Sequence, residues 1–93
     1  MQIVVVPMNR TIIVIAVAHG GRDPGAVANG LAEKDLALGI SKRIITRLSQ
    51  YNDVEAILTR DNDRFLSLQE RADIANSINA DFFLSVHINA GIS

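Results

Sequence analysis

The chain has 93 residues, of which 48% are hydrophobic and 20% charged, and its net charge is −1. That is room for one small domain of ordinary globular balance, which excludes a two-domain protein and a disordered chain. It also excludes a basic nucleic-acid footprint, and the absence of cysteine excludes disulfides, thiolate metal sites and a cysteine nucleophile.

The opening Met1-Gln2-Ile3-Val4-Val5-Val6-Pro7-Met8 is apolar but lacks a basic n-region and a small-residue cleavage site, so no export signal is read there. Residues 1–10 are an extension with no assigned role, and residues 11–93 form the domain. No apolar run reaches the ~20 residues of a membrane span, so no membrane partner is expected. Thr11-Ile12-Ile13-Val14-Ile15-Ala16-Val17 is a continuous β-branched run, the pattern of a strand covered on both faces. It ends in His19-Gly20-Gly21-Arg22-Asp23-Pro24-Gly25, where three glycines and a proline in seven residues mark a loop.

A helix is predicted from Glu33 to about Gln50, with Leu36, Ile40, Ile44 and Leu48 as its inward stripe and Ala37 and Ile45 widening it. A short strand follows at Val54–Leu58, and Asp61-Asn62-Asp63 reads as a turn. Ser67-Leu68-Gln69-Glu70 has capping-box spacing and opens a second helix to about Asn79, with Leu68, Ala72, Ala75 and Ile78 inward. Phe82-Phe83-Leu84-Ser85-Val86 is the last strand. The order is βαβαβ, part of a doubly wound α/β domain with a parallel sheet and helices on both faces. Three strands and two helices make a thin version of that architecture, so the chain is read as truncated on its C-terminal side.

The two histidines, His19 and His87, each follow the end of a strand. Ligands in open α/β sheets gather at the carboxyl ends of strands, beside the point where strand order reverses. With the first strand between the other two, both histidines fall on one rim, and Glu33 opens the helix that starts there. Two histidines and a carboxylate with an open fourth position make a catalytic zinc set. Other roles stand beside this one. Either histidine alone fits a loop or capping role, Glu33 alone fits a first-turn helix acid, and the glycine loop alone fits a turn.

The stretch from Thr11 to Ala90 resembles the N-terminal half of the zinc-dependent N-acetylmuramoyl-L-alanine amidases. The matching blocks are His19-Gly20-Gly21-x-Asp23-Pro24-Gly25-Ala26, Gly30-Leu31-x-Glu33-Lys34-Asp35 and Leu58-Thr59-Arg60-Asp61. They continue through Leu66-Ser67-Leu68-x-x-Arg71, Ala75-Asn76 and Ala80-Asp81, and close with Ser85-Val86-His87-x-Asn89-Ala90. The resemblance implies that His19, Glu33 and His87 bind one Zn²⁺. It implies hydrolysis of the amide between N-acetylmuramic acid and L-alanine in peptidoglycan, with the cell wall as the place of action. No catalytic residue is identified within the chain, because the general-base glutamate that the resemblance implies is expected beyond Ser93. The alternative is an inactive truncated amidase that binds zinc or glycan without turnover.

Two further expectations come from particular residues. Where the family has Asp-x-Gly before its first histidine, this chain has Ala16-Val17-Ala18. If that aspartate holds the imidazole, its loss weakens zinc binding about ten- to a hundredfold, and Ala18 is harmless only with φ below zero. Arg60 and Asn89 are candidate substrate contacts. The competing roles are a turn for Asn89 and, for Arg60 and Arg71 alike, an ion pair with an acid such as Asp61 or Glu70. The sequence says nothing about oligomeric state.

Overall fold

The computed structural model describes residues 10–88. The extension before Arg10 and the candidate contact Asn89 therefore lie outside the described residues. In chain order the elements are β1 (Thr11–Val17), β2 (Val27–Ala28), β3 (Leu31–Ala32), α1 (Glu33–Leu48), β4 (Val54–Leu58), α2 (Leu68–Ser77) and β5 (Phe82–Val86).

β1 is the centre of a three-stranded parallel sheet ordered β4-β1-β5. Thr11 to Ile15 pair with Val54 to Leu58, and Ile13 to Val17 pair with Phe82 to Val86. The unbroken apolar run of β1 is what a central strand needs, since neither face meets water. Val14, Ile15 and Val17 are fully buried and Ala16 nearly so. Each such valine or isoleucine contributes about 1.5–3 kcal/mol by burial. Chain direction across the sheet reverses between the two crossovers. Right-handed crossovers therefore put α1 and α2 on opposite faces.

α1 is rotated from its predicted stripe. The buried line runs through Glu33, Ala37 and Ser41, while Leu36 and Ile40 are 38% and 39% exposed on its flank. The cause lies at the first residue of the helix. The Glu33 carboxylate accepts from the amides of Ala26 and Ile88, which turns it inward, and residues four apart follow it. Small side chains at 37 and 41 let the helix lie close to the sheet.

α2 begins with the predicted capping box. Ser67 Oγ accepts from the Glu70 amide at 3.0 Å, and Glu70 Oε1 accepts from the Ser67 amide at 2.9 Å. Its buried residues are Arg71 and Ala75. Leu68, expected inward, is 78% exposed. As the first residue after the cap, it points along the rim of the sheet rather than onto it.

The β2–β3 hairpin is an addition to the expected elements. Its turn is Asn29-Gly30, both with positive φ (53° and 75°). Asn-Gly is the strongest short hairpin signal, because it accepts two successive left-handed residues at little cost. The two-residue strands were too short for any alternation to show. The hairpin returns the chain so that Ala26 and Pro24 accept from the amides of Glu33 and Lys34 at 2.8 and 3.0 Å. Loop carbonyls thus do for α1 what no side chain does, for Ala32 at its N-cap makes no side-chain cap.

Candidate metal centre

The carboxyl ends of β1 and β5 lie side by side, Val17 opposite Val86. His19 and His87 leave them on one rim, and their rings meet edge to face with centroids 5.6 Å apart. Glu33, only 5% exposed, comes in from the start of α1. Its Oε2 lies 3.2 Å from His19 Nε2 and 3.5 Å from His87 Nδ1. One ligand atom from each of the three residues lies within 4.8 Å of the others. The three residues expected to converge are together, at a spacing that one metal ion can span.

His19 has φ of 63°, uncommon for a residue with a side chain. The Gly20-Gly21 turn that follows closes on itself, with Gly20 and Asp23 exchanging backbone hydrogen bonds at 2.7 and 3.0 Å. That brings Asp23 back against the ring, and its Oδ2 sits 2.8 Å from His19 Nδ1. The His19 contact, followed by the Gly25 amide, holds the Asp23 carboxyl below the ordinary aspartate value. Asp23 is placed to accept from Nδ1, the arrangement that leaves Nε2, on the Glu33 side, free to ligate a cation.

The imidazole has a carboxylate partner in the loop after His19, while Ala16-Val17-Ala18 before it offers none. Ala18 is not among the positive-φ residues, so the exchange of glycine for alanine carries no strain there. The left-handed position is His19 itself.

Glu33 is held as tightly. Burial pushes its carboxyl up, but the amides of Ala26 (3.1 Å) and Ile88 (3.0 Å), and then His19, more than offset this. Its pKa falls below the ordinary glutamate value, and the group is ionised beside the two rings. Gly25 lies directly over this pair. A Cβ there would stand 2.5 Å from His19 Cδ2 and 2.9 Å from Glu33 Cβ.

Arg60, offered by the sequence as a substrate contact or a partner of Asp61, is turned inward and forms no ion pair with Asp61. It is 3% exposed and gives its hydrogen bonds to backbone carbonyls. Nε donates to His19 at 2.9 Å, Nη2 to Ala18 at 3.0 Å and Lys34 at 2.9 Å, and Nη1 to Asn62 at 2.9 Å. Arg71, also buried, makes one long bond of 3.4 Å from Nη2 to His19 O, and no pair with Glu70. Beside the two histidines a cavity of about 390 Å³ opens, walled by Phe65, Leu66, Leu68 and Arg71. Arg22 stacks over the Phe65 ring at 4.4 Å.

Residues 13–93 match the N-acetylmuramoyl-L-alanine amidase family. The chain belongs to that family. It is 48% identical over 80 residues to the sporulation-specific N-acetylmuramoyl-L-alanine amidase of Bacillus subtilis, covering 85% of this chain and 31% of that one. It is 51% identical over 72 residues to the endolysin of Bacillus phage SPP1, covering 77% of this chain and 27% of the endolysin. Among solved structures, the catalytic domain of CwlV, the N-acetylmuramoyl-L-alanine amidase from Bacillus (Paenibacillus) polymyxa var. colistinus, superposes with a TM-score of 0.84. The two are 34% identical, over 88% of this chain and 48% of CwlV's. The chain thus spans under a third of the length of these two curated relatives and about half of the solved catalytic domain. The part of the fold shared with the solved catalytic domain includes the three-stranded parallel sheet described above.

Proposed function

We propose that His19, Glu33 and His87 are the protein ligands of one Zn²⁺, and that the chain acts on peptidoglycan at the cell wall. The bond addressed is the amide between N-acetylmuramic acid and L-alanine. One observation carries the metal reading. His19 Nε2 and the ionised Oε2 of Glu33 stand 3.2 Å apart, and His87 Nδ1 stands 3.5 Å from the same oxygen. An imidazole nitrogen and a carboxylate oxygen this close hold either a proton or a cation between them. Tetrahedral zinc with bonds of about 2.0–2.1 Å sets neighbouring ligand atoms about 3.3–3.4 Å apart. The separations of 3.2 and 3.5 Å around Glu33 Oε2 bracket that value.

Zinc, when bound, supplies Lewis acidity to the scissile carbonyl and to the attacking water. The chain's own residues do the rest. Asp23 keeps the proton on Nδ1 of His19, so that Nε2 is available as a ligand. Phe65, Leu66 and Leu68 give the adjoining cavity an apolar wall that excludes water from one side of the substrate.

A second reading, binding without turnover, has its own support. Hydrolysis needs a base to take the water's proton and return it to the leaving amine. Asp23 and Glu33 are the acids lining the cavities at the centre among the described residues, and both are engaged. The test pairs zinc content after chelator-free purification with release of new L-alanine amino groups from peptidoglycan. Wild type, His19→Ala and His87→Ala are compared. About one zinc per wild-type chain, lost in both variants, together with amide cleavage, supports the enzyme. Zinc without cleavage supports the second reading, and no zinc in wild type refutes the metal centre.

A further inference from the structure

We infer that Arg60 is the positioning residue of the metal centre, holding the backbone that carries His19 at a fixed distance from the backbone that carries Glu33. The inference rests on the metal reading above. Arg60 follows Thr59 at the end of β4, and Thr59 is itself locked to β1. Its amide donates to Ile15 O at 3.0 Å, and its hydroxyl accepts from the Val17 amide at 3.0 Å. The guanidinium is therefore launched from the strand beside β1, with a stem that cannot swing.

Its targets are particular. Nε and Nη2 reach the carbonyls of His19 and Ala18, the two residues where β1 ends and the chain turns left-handed. Nη2 also reaches the carbonyl of Lys34, the residue after Glu33. One rigid fork thus ties together two of the three segments that bear ligands. Among the described residues it forms no ion pair with a carboxylate at all. A buried guanidinium without a counter-ion is costly, and burial pushes the Arg60 pKa down from its ordinary value. Its hydrogen bonds to carbonyls offset that cost, and they hold the backbone where His19 takes a φ of 63°. Arg71 adds its longer bond of 3.4 Å to the same carbonyl, so the anchored group is the His19 backbone and not its ring.

Lysine keeps the charge at this position but lacks the planar fork, and it cannot hold three carbonyls in one geometry. The test uses the full chain as wild type, Arg60→Lys and, as a control, Arg22→Lys, which touches none of these carbonyls. Zinc affinity is measured by chelator competition, the visible d–d spectrum with cobalt in place of zinc, and helix content by circular dichroism. Arg60→Lys is expected to keep its helix signal, bind zinc about ten- to a hundredfold more weakly and show an altered cobalt spectrum. Arg22→Lys is expected to match wild type in all three. A folded Arg60→Lys with unchanged affinity and unchanged cobalt spectrum overturns the inference. Loss of the helix signal overturns it too, since Arg60 would then serve the whole fold. Wild type without zinc removes the metal reading and this inference together, a result distinct from wild type and variant binding alike.

Discussion

Asp23 Oδ2 sits 2.8 Å from His19 Nδ1, four residues further along the same loop. A ligand histidine needs a partner on its other nitrogen to fix tautomer and ring plane. Here the Gly20-Gly21 turn folds the partner back onto the ring. Asp23→Asn keeps an acceptor but loses the charge, and Asp23→Ala loses both. Zinc affinity is expected to fall about ten- to a hundredfold in the alanine variant and less in the asparagine variant, with the fold retained. Chelator competition measures it. Equal affinity in all three would show that Asp23 does not support the ligand.

Much of this was legible in the residues. The strand at Thr11–Val17 shows itself through an unbroken β-branched run, and its buried ends locate His19 on the ligand-binding rim. The pairing of β1 with β5 brings His87 to the same place. What the sequence concealed has physical reasons. The rotation of α1 is set by two amide bonds to a carboxylate, which no hydrophobic period reports. The role of Asp23 depends on a turn that reverses the chain within four residues, so strand and helix periodicities do not reach it. Arg60 reads as a surface clamp because an arginine that spends its hydrogen bonds on backbone carbonyls leaves no charged partner to recognise.

Gly25 has φ of 69°, and a Cβ there would press on His19 Cδ2 at 2.5 Å. Gly30 has a similar φ of 75° but open space around it. The pair separates backbone strain from crowding. Both alanine variants are expected to lose about 1–2 kcal/mol of stability through the left-handed backbone. Gly25→Ala is expected to lose zinc as well, and Gly30→Ala to keep it. Thermal melts and metal content of the two variants decide this. Retained zinc in Gly25→Ala would mean that the His19 ring can move aside without cost.

Asp63 links the two loops behind the centre. Lys34 Nζ donates to its Oδ2 at 2.9 Å, and the Gly21 amide to its Oδ1 at 2.8 Å. The Lys34 contact, followed by that amide, lowers its pKa from the ordinary aspartate value. The unfolded chain therefore binds the proton first as pH falls. The contribution is fully present above the unfolded value of about 3.9 and disappears as pH drops through the lower folded value. Asp63→Asn should be less stable than wild type near neutrality, with the difference shrinking as acid is added. Denaturant midpoints across that range test it, and a constant difference would remove Asp63 from the acid response.

β5 pairs with β1 on one side, and among the described residues its other edge is unpaired. Phe82, Phe83 and Leu84 on it are 61%, 50% and 44% exposed. Free backbone groups flanked by apolar side chains form a template for another strand, and large apolar patches seek cover. The 93-residue chain is therefore expected to self-associate as concentration rises, followed by sedimentation equilibrium. Phe83→Lys places a solvated charge on that edge and should shift the chain toward monomer. As a substitution at a half-exposed site, it should change stability by no more than about 0.5 kcal/mol. Zinc uptake should be unaltered, because Phe83 lies three residues before Val86, at the opposite end of the strand from His87. A wild-type chain that stays monomeric at every concentration would show that the edge is blunted by its own twist, and Phe83→Lys would then change nothing.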